Sequence, residues 1–333
     1  MDASSLPIFW AAVIGFGILV YVVLDGYDLG VGILFGTTRD ERSRAQMMAA
    51  IAPFWDGNET WLVMIGAGLF GAFPMVYAIL LPAFYLPLAL MLLGLIFRGV
   101  AFEFRYRSER MRGVWDIGFC LGSMVVAFVQ GAALGTMVQE LPVDNGQYAG
   151  GSFDWLTPFS VLCGVGLAVG YALLGASCLV LKTEGPLRDW AYRRVGWLLA
   201  GALVFVALAF AFALVTRLRV LDRWLEYPWM LALPLIGAVA AVSLLHGVHS
   251  RRDWLPYAMS VLIFLAAYLT LVGSFWPYMI PYSVTVEEAA APPQSLEFLF
   301  YGAGIIVFPI VLIYTCAVYW IFRGKMKAGS GYR

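Results

Sequence analysis

Charge is the scarcest ingredient of this 333-residue chain: Asp, Glu, Lys and Arg make up 13% of it, and 21 basic residues balance 21 acidic ones. A soluble domain of this length carries about twice that share of charge, and a nucleic-acid partner requires a basic face that a balanced chain does not offer. Histidine is nearly missing, with His246 and His249 alone, and the four cysteines, Cys120, Cys163, Cys178 and Cys316, sit inside apolar segments without C-x-x-C spacing. That spacing excludes a zinc framework, and the cysteines read as small buried apolar residues. No Lys or Arg precedes Arg39 and no small-residue cleavage pattern closes the first apolar run, so that run is expected to stay as a helix. What the chain has in abundance is apolar surface: 62% hydrophobic residues and a mean hydropathy of +0.83. This is the composition of a polytopic membrane protein.

About 20 apolar residues span a bilayer, and nine blocks reach that length: 7–35, 51–73, 75–102, 115–138, 157–181, 195–216, 228–248, 255–276 and 297–322. Only "GAFPMVY" (71–77), with Pro74 marking a tight turn, separates the second from the third, and fusion there would leave eight. Assigning the connections alternately puts 18 of the 21 Lys and Arg on one side and leaves Arg217, Arg219 and Arg223 on the other. Because cytoplasmic loops carry the basic excess, nine helices with the N-terminus outside and the C-terminus, including Lys327 and Arg333, in the cytoplasm are expected.

A weak internal repeat appears at an offset of 149 residues, where "GFGILVYVVLDGYD" (15–28) lies over "GVGLAVGYALLGAS" (164–177). The expected architecture is therefore an all-α integral membrane protein, a single membrane domain over 1–333, built as four-helix units at 7–138 and 157–276 followed by a ninth helix at 297–322. The copies differ in one respect: Leu174 and Ser177 stand in the second where Asp25 and Asp28 stand in the first.

An ionisable side chain at bilayer depth costs at least a few kcal/mol and so faces the bundle interior, a partner or a water path. Asp25 and Asp28, at i and i+3, share a helix face. Helix 2 begins with "PFWDGNETW" (53–61), carrying Asp56, Asn58 and Glu59; helix 3 brings Arg98 to its cytoplasmic end, and helix 4 opens with Trp115 and Asp116. These residues are expected to converge in the cytoplasmic half of the first unit. Carboxylates mixed with Asn58 and Tyr27 suit a proton-uptake path or an ion site, and Asp25, Asp28 and Asp56 point that way because acids outnumber bases. Arg98 and Asp116 read instead as structural, a buried pair that fixes packing, and Asp56 and Glu59 also suit a helix N-terminus, where acids complement the dipole. His246 and His249, three residues apart at one helix end, cannot clamp a haem from opposite faces. Trp10, Trp115, Trp155 and six other tryptophans near helix ends fit an interfacial belt.

Five segments, "LDGYDLGVG" (24–32), "APFWDGNETWL" (52–62), "GAFPMVYA" (71–78), "FRGVAFEFR" (97–105) and "GGSFDWLTPF" (150–159), with "ALLGASCLVLKTEG" (172–185) after them, resemble subunit II of the cytochrome bd-type quinol oxidases, most of all the cyanide-insensitive branch. The resemblance implies a bacterial cytoplasmic-membrane heterodimer that oxidises quinol and reduces oxygen to water. It implies that haems of the b and d types and the quinol site belong to subunit I, that a small accessory subunit can join, and that subunit II binds no haem or metal itself. Subunit II would then stabilise its partner and feed protons from the cytoplasm through Asp25, Asp28 and Asp56, which match the motif positions; Glu59 matches a place where glutamine also occurs. The competing reading from the residues is a proton- or cation-coupled secondary transporter, with the repeat as its two halves and the acids as its ion site. A purely structural subunit is a third.

Overall fold

The computed structural model describes residues 5–107 and 110–326, so Lys327 and Arg333 of the charge count lie outside the described residues. Helix α1 (Leu6–Phe35) carries Pro7 in its first turn, where the ring pre-sets the backbone, and runs unbroken for 30 residues past both aspartates. After it comes a helix outside the nine expected blocks, α2 (Glu41–Ile51), too polar to read as a span. The Asp40 carboxylate caps it, accepting from the Ser43 N–H at 3.0 Å. The second expected block begins late, as α3 (Trp55–Ala72), because Pro53 has no N–H to donate back to Ala49 and the chain turns before restarting.

The third block, expected continuous over 75–102, is two helices, α4 (Pro74–Ala83) and α5 (Tyr85–Phe104), which meet at a non-helical Phe84 with φ −114° and ψ 23°. Pro87 cannot donate to the Ala83 carbonyl, so the junction loses a rung of its ladder. Helices α6 (Arg112–Val138) and α7 (Pro158–Lys182) follow, with a two-residue hairpin, β1 (Val143–Asp144) and β2 (Gln147–Tyr148), between them. Helix α8 (Pro186–Thr216) begins nine residues before the expected 195, since "PLRDWAYRR" is helical but too charged to score as apolar. After α9 (Val220–Glu226) and a 3₁₀ turn come α10 (Ala232–His249) and α11 (Trp254–Phe275). A second hairpin, β3 (Tyr278–Ile280) and β4 (Val284–Thr285), leads through α12 (Val286–Ala289) to α13 (Pro293–Leu299). The last block continues as a π-helical turn over 300–307, just before Pro309, and ends as α14 (Phe308–Ile321).

Among the described residues eight helices are long and apolar enough to cross a membrane. Helix α3 is not one of them, because Asp56, Asn58 and Glu59 crowd its first turns. The chain is thus an all-α multi-pass membrane protein. Helix α1 packs on α3, α6 and α7; α7 packs on α6, α8 and α11; α5 lies on α6, and α10 on α11. The crossing of α1 and α7 needs glycine on both sides: a Cβ on Gly30 would stand 1.7 Å from the Tyr171 carbonyl oxygen, and one on Gly175 would stand 2.5 Å from the Gly30 backbone. Trp10 and Trp155 are buried rather than interfacial, and the Trp10 indole N–H donates to the Leu296 carbonyl at 3.3 Å.

Candidate functional site

Where α1 nears its C-terminal end, its Asp25 and Asp28 point into the bundle and are fully buried, and α5 delivers the equally buried Arg98 against them. One guanidinium serves three carboxyls: Glu59 of α3 accepts from Arg98 Nη1 at 2.5 Å, Asp25 lies 3.4 Å from that nitrogen, and Asp28 lies 4.0 Å from Nη2. Asn58, one residue before Glu59, donates through Nδ2 to Asp28 Oδ2 at 2.6 Å and to the Leu24 carbonyl at 3.2 Å. Removing such charges from water costs several kcal/mol per ion, offset only by close pairing and hydrogen bonds. The offset is incomplete, because neither Asp25 oxygen nor Asp28 Oδ1 accepts a well-formed hydrogen bond among the described residues. Arg98, expected as a packing partner, is the hub of the group.

Two polar arms extend from this centre. Along one, the Gln130 amide of α6 donates to the Tyr21 hydroxyl at 2.8 Å, and Tyr171 of α7 donates to the Gln130 Oε1 at 2.8 Å. Along the other, Tyr319 of α14 donates to Asn58 Oδ1 at 3.1 Å and shares a 2.6 Å hydrogen bond with Tyr27. Asn58 and Tyr27 were legible from the motif. Gln130 could have been found as an amide deep in an otherwise apolar helix, whereas nothing in the sequence around Tyr319 sets it apart from other membrane tyrosines.

Two expected members stand elsewhere. Asp56 is exposed in the first turn of α3, and its side chain does not join the Arg98 group, because it falls on the other side of the helix from Asn58. Asp116 belongs to a second ionic group: it accepts from Arg105 Nε at 2.5 Å and from Arg44 Nη1 at 2.8 Å, while Arg105 also donates to both Glu41 oxygens at 2.9 and 3.0 Å. That group ties the start of α2 to the end of α5 and the start of α6. Helix α6 meets α1 at Ser123 against Gly32 and at Gln130 beside Tyr21, so Asp25 lies between these levels and Asp116 falls about 10 Å or more short of it along the axis.

The same end of the bundle is fastened around Asp253, the residue before α11, which accepts from Tyr192 at 2.6 Å and pairs with Arg188 at 3.4 Å and with Lys325. Partial burial pushes the Asp253 carboxyl up, but hydrogen bonds from Lys325 and Tyr192 and the neighbouring cations outweigh it and hold the group below the usual range. His246 and His249 are both exposed in the last turn of α10 and do not face each other across a cavity.

Residues 6–322 match the family model described as cytochrome bd terminal oxidase subunit II. Similar proteins include the cytochrome bd-I ubiquinol oxidase subunit 2 of Escherichia coli K12, 32% identical over 98% of this chain and 96% of that one. The cytochrome bd ubiquinol oxidase subunit 2 of Bacillus subtilis is 28% identical over 97% of this chain and 98% of its own length. Among solved structures, a chain of the bd oxidase from Geobacillus thermodenitrificans shares the fold with a TM-score of 0.78 at 16% identity, covering 96% of this chain and 98% of the other.

Proposed function

This chain belongs to the cytochrome bd terminal oxidase subunit II family, a subunit of an oxidoreductase complex, and from that premise we propose that it is the haem-free partner of a haem-bearing subunit I and supplies protons to it. In this reading the complex oxidises quinol and reduces oxygen to water, the haems and the quinol site lie in subunit I, and this chain stabilises that subunit. Membership of an oxidase family sets aside the transporter alternative. The two exposed histidines on one helix end are no axial pair, in keeping with a chain that binds no haem.

The observation that carries the proton role is the gradient of exposure through the acids: Asp56 is exposed, the Glu59 side chain is 22% exposed, and Asp25 and Asp28 are at 0%. Oxygen reduction consumes protons, and three carboxyls around one guanidinium have more acceptor capacity than their cation neutralises. Asp56 is the entry, Glu59 the relay, and the Asp25–Arg98–Asp28 group the buried reservoir. Asp116 and Arg105 anchor the helices around this route.

Orientation follows from charge: the basic residues gather at the end of the bundle where α1 finishes, and that end is cytoplasmic, with the N-terminus outside. Helix α3 is counted as a ninth span because it lies antiparallel along α1, from Asn58 against Leu24 to Gly68 against Ile14. Matched neighbours in the two halves, α1 with α3 and α6 and then α7 with α8 and α11, support two four-helix units at 7–138 and 157–276, followed by the helix at 297–322. The test is quinol-driven oxygen consumption by the purified complex carrying Asp25→Asn or Asp28→Asn. Turnover is expected to fall on the order of tenfold or more with assembly intact; unchanged turnover in an intact complex would leave the acids structural.

A further inference from the structure

Helix α14 has no fully buried residue among those described, yet its polar side chains reach inward at two levels. One turn above Tyr319, Thr315 accepts from the Trp61 indole N–H at 3.2 Å. At Tyr319 the ring lies 4.6 Å from the Phe54 ring, and the hydroxyl enters the hydrogen-bond network of the acids. Just beyond the helix, Lys182 donates to the Phe322 carbonyl and the Met326 N–H donates to the Lys182 carbonyl, both at 2.7 Å. Phe322 and Met326 are thereby tied to Lys182 in the last turn of α7.

The direction of the hydrogen bonds makes Tyr319 more than a packing residue. The Leu24 carbonyl and the Asp28 carboxylate both lie on the Asn58 Nδ2 side, at 3.2 and 2.6 Å, so the amide nitrogen is turned toward them. Its oxygen is then left to find a donor in a buried place, and the Tyr319 hydroxyl is that donor at 3.1 Å. Since Tyr319 gives its proton to Asn58, the 2.6 Å contact with Tyr27 is filled by the Tyr27 proton. The chain Tyr27, Tyr319, Asn58, Asp28 therefore donates in one direction, and such chains polarise one another. Asp25 stands at the end of the other arm, from Tyr171 through Gln130 to the nearby Tyr21, which does not involve α14.

We propose that Tyr319 is a positioning residue for Asp28, acting through the Asn58 amide, so that the last helix sets the hydrogen bond received by one of the two buried aspartates. Removing the hydroxyl leaves Asn58 Oδ1 without a donor, so the amide keeps its bonds to Asp28 and Leu24 but loses its anchor on α14 and the polarisation that the tyrosine supplied to the Asp28 hydrogen bond. The inference rests on the proposed proton role for its importance, but its geometry can be tested separately.

The experiment is infrared difference spectroscopy on the purified complex, with the carboxyl band of Asp28 identified as the one that Asp28→Asn removes. Tyr319→Phe, which keeps the ring on Phe54, is expected to shift that band, while Thr315→Val, which cuts the other polar tie of α14, is expected to leave it in place. Should Tyr319→Phe fail to assemble, Tyr27→Phe is expected to give a smaller shift of the same band. A band unmoved by the tyrosine variants, or moved equally by Thr315→Val, overturns the proposal. Full turnover in Asp28→Asn would overturn the proton role of Asp28 without touching this result.

Discussion

Helices α1 and α7 touch backbone to backbone at Gly30 and Gly175, but they bury different kinds of polar chemistry. On α1, Asp25 and Asp28 face Arg98 with hydrogen-bonding capacity left over. On α7 the matching positions are Leu174 and Ser177, and Ser177 shares a 2.9 Å hydrogen bond with Ser260 of α11, a neutral pair. At this crossing α7 thus buries a neutral pair, and its one buried cation, Lys182, lies away in its last turn. The glycine crossing itself does not call for the acids of α1, whose desolvation costs several kcal/mol per ion.

The comparison is broken most severely by Arg98→Leu, which leaves three acids facing no cation and is expected to cost about 3–5 kcal/mol. Thermal unfolding of the purified complex measures the loss, and adding Asp25→Asn, Asp28→Asn and Glu59→Gln should recover much of it. Next is the helix crossing itself. Gly30→Ala forces α1 away from the Tyr171 carbonyl and should cost about 1–3 kcal/mol, whereas Gly196→Ala on α8, where a Cβ meets nothing within 4 Å, should be tolerated.

At the neutral Ser177–Ser260 pair the effects shrink. Ser177→Ala is expected to cost about 0.5–1.5 kcal/mol, and the double change Ser177→Ala with Ser260→Ala to be nearly silent, since removing both partners leaves no orphaned hydroxyl in that pair. The smallest effect is that of Asp253, outside the membrane-spanning segments. Its carboxyl is held below the usual range, so its stabilising contribution is complete above that range and is lost as the pH falls through the lowered folded value. Thermal midpoints taken across the acid range should therefore depend less on pH in Asp253→Asn than in the parent.

Alternation of apolar blocks with basic connections was enough to mark out a multi-pass helical chain, with eight of the nine expected blocks holding a helix long and apolar enough to span, because bilayer thickness and the cost of exposed backbone leave few alternatives. The pairing of Asp25 with Asp28 was equally legible, since a three-residue spacing fixes a shared helix face. The late start of α3 after Pro53 and the early start of α8 were not, because hydropathy weighs side chains while helix ends depend on backbone donors. Likewise the motif put Asp56 and Glu59 together, but the rotation of α3 turns Glu59 and Asn58 toward Arg98 and leaves Asp56 outside.

The sequence by itself determined a multi-pass helical chain of a known oxidase family with acids concentrated in its first half. Only the tertiary structure decided which acids share Arg98, that Asp116 serves a separate group with Arg44 and Arg105, and that Tyr319 reaches Asn58 from 261 residues away. The reason is physical: periodicity fixes a face within one helix, whereas the partner of a buried charge depends on how several helices are rotated and set in depth against one another.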